Sequence, residues 1–345
     1  MEEGMTYAKA GVDIDKESLA IRAIAEHLKG TLRLRQGKAG ESLLGVGHFA
    51  GLVKLDEKRA LALSADGVGT KILVARAMNK YDTIGIDLVA MNANDVICVG
   101  AEPLVLLDYL AIDEPDPSIT GEIAKGLAKG AEMANISIPG GELATLPEMV
   151  KGFDLAGLIV GMVEMDKIIT GEKVAPGDVV IGLESSGIHS NGLTLARKVI
   201  LEHYSIDEEI FPGRTAGEEL LEPTKIYVRE VMRCLAEADV HGLANITGGG
   251  LANLTRITRH GYYLDALPEP PRIFQLIQEL GKVPEHEMYR TFNMGVGFCI
   301  VTSEEESEKI IDICKRHSTR AQVIGRVVEG ENVVKIADKS FTLRY

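Results

Sequence analysis

Apolar and polar positions along this chain follow two rhythms that replace one another repeatedly. The segment Asp154 to Glu164, DLAGLIVGMVE, is short and almost continuously apolar, the pattern of a buried strand. Similar runs predict strands near 60–66 and 103–111 in the first half, and near 179–183, 241–247 and 297–302 in the second. Helical spacing predicts helices near 83–99, 118–134, 191–203, 224–237 and 304–316. Helix and strand mix in both halves, so the fold class is α/β of the α+β type. The stretch Lys173 to Asp178 reads as a turn before a fresh strand at Val179, which places a boundary near 170. An N-terminal domain 1–169 and a C-terminal domain 170–345 follow, and 345 residues suit two cores better than one. There is no short-period repeat, although two halves of similar content leave a distant duplication open.

Composition narrows the function. Apolar residues at 46% and charged residues at 26% are the balance of a soluble globular protein. A formal net charge of −14 argues against nucleic acid, whose binding depends on many cationic side chains displacing counterions. The cysteines Cys98, Cys234, Cys299 and Cys314 form no CxxC pair and lie in apolar surroundings, which predicts free buried thiols. Neither a basic-then-apolar leader nor a membrane-length apolar run is present, and a cytoplasmic enzyme with no membrane partner is expected.

Three familiar motifs fail, each for its own reason. A Walker loop needs lysine before the hydroxyl residue, whereas this chain has Gly69-Thr70-Lys71. Gly45-Val46-Gly47-His48-Phe49-Ala50 matches a loose GxGxxA but follows no clear strand. Ser190, in Ile188-His189-Ser190-Asn191-Gly192, lacks the first glycine of a nucleophile elbow.

What remains is polar chemistry at glycine-rich edges of apolar elements. In ADGVGTK, residues 65–71, Gly67 and Gly69 allow close approach of an anion, Asp66 offers a hard oxygen ligand, and Lys71 carries a point charge for phosphate. Asp66 could instead cap a helix beginning near Gly69, and Lys71 could be an ordinary solvated lysine. Asp95, flanked by Val96 and Ile97 on a predicted helix, is either paired in a core or bound to a cation. Glu142 follows Gly140 and Gly141. His189-Ser190-Asn191 and Gly248-Gly249-Gly250 each precede a predicted helix, where anions are favoured, with a cap or a tight turn as the alternative. His189 and His241 are candidate proton carriers, and Asn293 either orients a substrate or makes a turn.

The strings GIDLVAMNANDVICVGAEP, ADGVGTK, SSGIHSNGLTLARK, ITGGG and FNMGVGF, spread along nearly the whole chain, closely resemble the phosphoribosylformylglycinamidine cyclo-ligase (aminoimidazole ribonucleotide synthetase) family. The resemblance implies a purine-biosynthetic ligase that uses ATP and Mg²⁺ to close the imidazole ring of formylglycinamidine ribonucleotide. It also implies an N-terminal domain that binds ATP and metal and whose strands pair across a homodimer, with a C-terminal domain holding the substrate. Carried onto this chain, it makes Gly45, Gly47, Asp66, Gly67, Gly69, Thr70 and Lys71 the ATP site and Asp66, Asp95 and Glu142 the metal ligands. His189, Ser190, Asn191, Gly248, Gly249, Gly250 and Asn293 become the substrate site, and Lys71, Asp95 and His189 the catalytic set. Relatives commonly read GLGGFGA and GGETAEMP where this chain has His48 in place of a glycine, and Leu143 and Thr145 in place of a hydroxyl and a carboxylate. These departures leave room for another ATP-using member of the superfamily, such as a small-molecule kinase or an amidotransferase, or for a non-catalytic nucleotide-binding dimer.

Overall fold

The computed structural model describes residues 4–45 and 47–345. The first half is built on a five-stranded sheet of β1 (Gly51–Lys54), β2 (Arg59–Gly67), β3 (Glu102–Ile112), β4 (Ser137–Thr145) and β5 (Phe153–Glu164), in the order β1-β2-β5-β3-β4. Neighbours are antiparallel except β3 and β4, which run parallel. Its helices are α1 (Tyr7–Ala10), α2 (Ile14–Leu28), α3 (Lys71–Met78), α4 (Ile84–Ile97) and α5 (Pro117–Ala134), the last being the crossover from β3 to β4.

Strand alternation decides which face is covered. On β2, Ala60, Ala62 and Ser64 are buried, while Leu61 and Leu63 point the other way. α4 lies on the inner face, close enough that a Cβ on Gly161 of β5 would fall 2.4 Å from Val96. On the outer face Leu107, Tyr109 and Leu158 are exposed and form one apolar surface with Leu61 and Leu63.

The second half carries a seven-stranded sheet. Its strands are β6 (Val179–Glu184), β9 (Val240–Asn245), β10 (Gly261–Leu264), β11 (Val296–Thr302), β12 (Ala321–Val328), β13 (Val334–Ile336) and β14 (Thr342–Leu343), with β7 (Glu209–Phe211) and β8 (Arg214–Thr215) forming a separate hairpin. The order is β14-β13-β10-β12-β6-β11-β9. Around it pack α6 (Leu193–His203), α7 (Ala216–Leu220), α8 (Val228–Glu237), α9 (Arg272–Gly281), α10 (Glu285–Thr291) and α11 (Glu304–Arg316). The four cysteines are free and buried. No helix among the described residues is long and apolar enough to cross a membrane.

The element that matters most for function is α4. It has the first sheet on one side and the second domain on the other, so apolar Leu88, Ala93 and Val96 are buried together with polar Asp87, Asn92 and Asn94. Buried polar groups require partners, and those of α4 find most of theirs across the domain junction.

Most expected elements coincide with observed ones, and the differences have local causes. The helix expected from 224 starts at Val228, because the chain after Pro223 stays irregular and spends its backbone on α4. There the Thr224 and Tyr227 N–H groups donate to Asp87 and Asn94, and the Lys225 carbonyl accepts from Asn94. The strand expected over 241–247 ends at Asn245, where the glycine turn begins. Gly140, Gly141 and Glu142 lie inside edge strand β4, not in a loop, because pairing with β3 satisfies the backbone there.

Candidate functional site

The end of β2, the polar positions of α4 and three loops of the second domain meet at the junction between the domains, which is the candidate cleft. Asp95 sits at its centre. The Asn245 side-chain amide, at the end of β9, donates to Asp95 Oδ1 at 2.8 Å, and Ser64 Oγ lies 3.5 Å from Oδ2. Asp95 keeps a small opening to solvent, yet protein surrounds it so closely that burial pushes its carboxyl up to about 7, with the Asn245 hydrogen bond opposing and nearby Asp66 adding to the rise. Asp66 is shifted upward as well, first by burial, against a hydrogen bond from its own neighbour Gly67. Asn92 fixes the end of β2 beside it, accepting from the Asp66 N–H at 3.1 Å and donating to the Asp66 carbonyl at 3.3 Å.

Two of the three expected metal carboxylates therefore come together and the third does not. Asp66, Gly157, Asp108 and Gly141 form one row across β2, β5, β3 and β4, which puts neighbouring Glu142 about 14 Å from Asp66 at ordinary strand spacing. Glu142 is exposed, and no group of three or more metal-binding side chains occurs among the described residues. Leu143 and Thr145 lie on the same edge strand, exposed and away from Asp95. Asp108, which faces inward between Leu106 and Leu110, was missed in the sequence. It stands next to Gly141, and its signal was a carboxylate breaking the buried face of a strand.

Lys71 takes a different place from the one its glycine context suggested. Its side chain is fully buried and its ammonium is 2.7 Å from Asp87 Oδ1, with the Glu222 carbonyl as a second partner. The same Asp87 oxygen accepts from the Thr224 N–H (2.7 Å), the Thr224 hydroxyl (2.6 Å) and the Ser190 hydroxyl (3.3 Å). Two of its three donors are spent here and the side chain has no exposed surface to offer a phosphate, so Lys71 is placed to join the domains. Thr70, which precedes α3 as its N-cap residue, joins them too through a 2.9 Å hydroxyl contact with Thr194. Asp66 therefore belongs to the end of β2 and does not cap α3. The Gly67 N–H is taken by the Asp66 carboxylate at 2.7 Å, so of this stretch only Gly69, at φ +71°, retains the role of an open turn.

The loop 185–192 is held from several sides. His189 is buried at φ +65°, and its Nε2 accepts the Ser186 N–H at 3.2 Å. Burial, then the positive charges of Lys71 and Lys225, push its imidazole down to about 3, which favours the neutral form. His241 lies at the far end of β9 between Asp178 (2.8 Å) and Asp239 (3.4 Å) and is outside the cleft. Ser190 belongs to the Asp87 cluster through a 3.0 Å contact with Thr224. Asn293 is fully occupied: its amide donates to the Gly187 and Ile188 carbonyls at 2.9 and 3.1 Å, and its oxygen accepts from Ser185 and Gly295. It shapes the loop and has no group left for a ligand. Asn191 differs. Its oxygen lies against Gly248, while its buried Nδ2 has no partner within the chain among the described residues.

Asn253 organises the glycine turn by donating to the carbonyls of Gly248 (3.1 Å) and Gly250 (2.8 Å). Gly45 and Gly47 are exposed on the opposite wall, where Arg256 reaches the Gly47 carbonyl at 3.2 Å. Asn245, Thr224 and Arg256 were not singled out in the sequence, because nothing local distinguishes them from ordinary surface or turn residues, whereas Asp87, between Ile86 and Leu88, carries the same local signal as Asp95 and was passed over.

Comparison with known proteins agrees along the chain. Residues 47–163 match the family model for the AIR synthase related protein, N-terminal domain, and residues 175–337 match the corresponding C-terminal domain. The phosphoribosylformylglycinamidine cyclo-ligase of Pyrococcus horikoshii is 50% identical over 98% of this chain and 100% of its own length. That of Pyrococcus furiosus is 52% identical over 96% of this chain and 97% of its own. Among solved structures, a protein from Thermus thermophilus superposes with a TM-score of 0.65 at 21% identity, covering 93% of this chain and 97% of the other. Thiamine-monophosphate kinase from Stenotrophomonas maltophilia gives 0.63 at 18%, covering 91% and 96%, and these two share the fold.

Proposed function

The chain belongs to the phosphoribosylformylglycinamidine cyclo-ligase family, and from that premise we propose which of its residues carry the reaction. The activity is the ATP-dependent closure of formylglycinamidine ribonucleotide to aminoimidazole ribonucleotide, with release of ADP and phosphate, a step of purine biosynthesis. An amide oxygen is a poor leaving group, so ATP activates it before the amidine nitrogen attacks. The protein's task is positioning and the neutralisation of charge.

The observation that supports the metal assignment is the pair Asp66 and Asp95. Both are enclosed carboxylates with raised pKa, and neither forms a salt bridge with a cation of the chain among the described residues. Hard oxygens in this number suit Mg²⁺, which takes one or two carboxylates together with phosphate oxygens and water. When bound, Mg²⁺ neutralises charge on the transferring phosphoryl group. Asn245 holds the carboxylate of Asp95 in one orientation, and Asn92 fixes the end of the strand that carries Asp66. On the substrate side the free Nδ2 of Asn191 donates to a ligand acceptor. The Gly250 N–H closes onto the Thr247 carbonyl at 2.9 Å, so the amides of Gly248 and Gly249 are those left for the ribose phosphate. Gly45, Gly47 and Gly69 line the ATP side.

The first domain supplies the ATP and metal groups and the second the substrate groups. The exposed apolar face of the first sheet supports a homodimer, since a surface of this kind is covered in solution. We also place the protein in the cytoplasm.

Purified protein incubated with ATP, Mg²⁺ and formylglycinamidine ribonucleotide is expected to release ADP and form aminoimidazole ribonucleotide in equal amounts. ADP release that ignores the ribonucleotide would overturn the assignment.

A further inference from the structure

The glycine-rich segment 45–50 and the glycine turn 248–250 come from different domains, yet one side chain reaches both. Arg256 closes the short 3-10 turn that starts at Gly250. Its Nε donates to the Gly47 carbonyl at 3.2 Å and one terminal nitrogen to the His48 carbonyl at 2.8 Å. The other terminal nitrogen lies 3.3 Å from the Asn253 oxygen, and Asn253 is the residue whose amide holds the glycine turn. The guanidinium also meets two rings, 4.0 Å from the centre of Phe49 and 4.8 Å from that of Tyr345. Tyr345 in turn rests on the glycine turn. A Cβ on Gly249, which has φ +100°, would lie 3.1 Å from its ring, and the Tyr345 N–H reaches Thr255 Oγ1 at 3.3 Å.

From this arrangement we propose that Phe49, Arg256 and Tyr345 form a clasp that holds segment 47–50 against the glycine turn, with Arg256 and Tyr345 acting as positioning residues for the cleft. Arginine is suited to this work and lysine is not. Its planar fork donates to several carbonyls at once while it stacks on aromatic rings. Asp95 feels the charge of Arg256, which puts the clasp beside the metal carboxylates. Fastening the segment lowers the cost of ordering it when a ligand binds, so the clasp acts on affinity more than on turnover.

Amide hydrogen exchange of residues 47–54 in the full chain without ligand tests the clasp directly. Tyr345 is 60% exposed, so its replacement spares the core. Tyr345→Ala is expected to raise exchange there about two- to fivefold, the factor for one exposed cation–π contact. Tyr345→Phe keeps the ring and is expected to retain wild-type protection. Arg256→Lys keeps the charge without the fork and is expected to lose protection as Tyr345→Ala does. Unchanged exchange in both Tyr345→Ala and Arg256→Lys would overturn the clasp. A second readout rests on the assignment of this segment to the ATP side: the KM for ATP should rise by the same factor in Tyr345→Ala, with kcat retained. Exchange that rises while the KM for ATP stays fixed upholds the clasp and removes the segment from the ATP site.

Discussion

Replacing Lys71 by methionine separates two incompatible roles for a lysine that a glycine-rich sequence presents as a phosphate ligand. In the structure its ammonium is buried against Asp87 and the Glu222 carbonyl. Removing one member of a buried ion pair costs about 3–5 kcal/mol, because the other charge stays behind without its partner. Asp87 Oδ1 keeps three donors after the substitution, two from Thr224 and one from Ser190, while Oδ2 has none. Those three place the loss at the lower end, about 3 kcal/mol. Substituting Asp87→Asn in the same chain removes the stranded charge, so the double variant should recover about 2 kcal/mol of the summed single losses. Urea unfolding followed by circular dichroism, at one protein concentration and without ligand, reads both numbers. Steady-state kinetics with ATP varied supplies the other half of the test. Lys71→Met at wild-type stability, with a KM for ATP raised tenfold or more, would restore the phosphate role and refute the junction.

Three further substitutions probe the rest of the site. Asp95→Asn preserves shape while removing an enclosed charge, so it should lower turnover about a hundredfold or more, leave the melting temperature unchanged or higher, and abolish any thermal shift on adding Mg²⁺. His189 has its pKa lowered to about 3, so its contribution to stability is fully present above about 6.5 and is lost as pH falls toward 3. His189→Asn, which tolerates the left-handed backbone, should flatten the fall of stability measured across that window. Leu158→Arg, on the exposed face of the first sheet, should elute as a monomer in size-exclusion chromatography with light scattering, and unaltered mass would remove that face from the interface.

How far the sequence could be read depends on how far apart the partners lie. β5 and β2 were legible because their apolar pattern is local and dense. α4 was legible as a helix, and Asp95 as its anomaly, but the second-domain partners Thr224, Lys225, Tyr227 and Asn245 of its polar positions lie 131–150 residues away. The surroundings of Lys71 were hidden for the same reason: its neighbours in sequence are glycines, whereas its neighbours in space are Asp87 and Glu222. β4 was hidden because Pro139, Gly140 and Gly141 are poor strand formers, and only pairing with β3 makes a strand of them. Asn293 could be placed near the site but not given a role, since its bonds go mostly to a loop that begins over a hundred residues earlier.

Because α4 serves as the inner wall of both domains, the two halves cannot be exchanged freely between relatives. A chimera with its crossover near residue 170 keeps α4 with the first parent and takes its hydrogen-bond partners at 222–227 and 245 from the second. Such a hybrid inherits a matched junction only where both parents spell the same pairing between Lys71, Asp87, Asn94 and Asp95 and the residues opposite. Shuffled libraries built across that point should therefore sort by agreement at these few positions before they sort by overall identity.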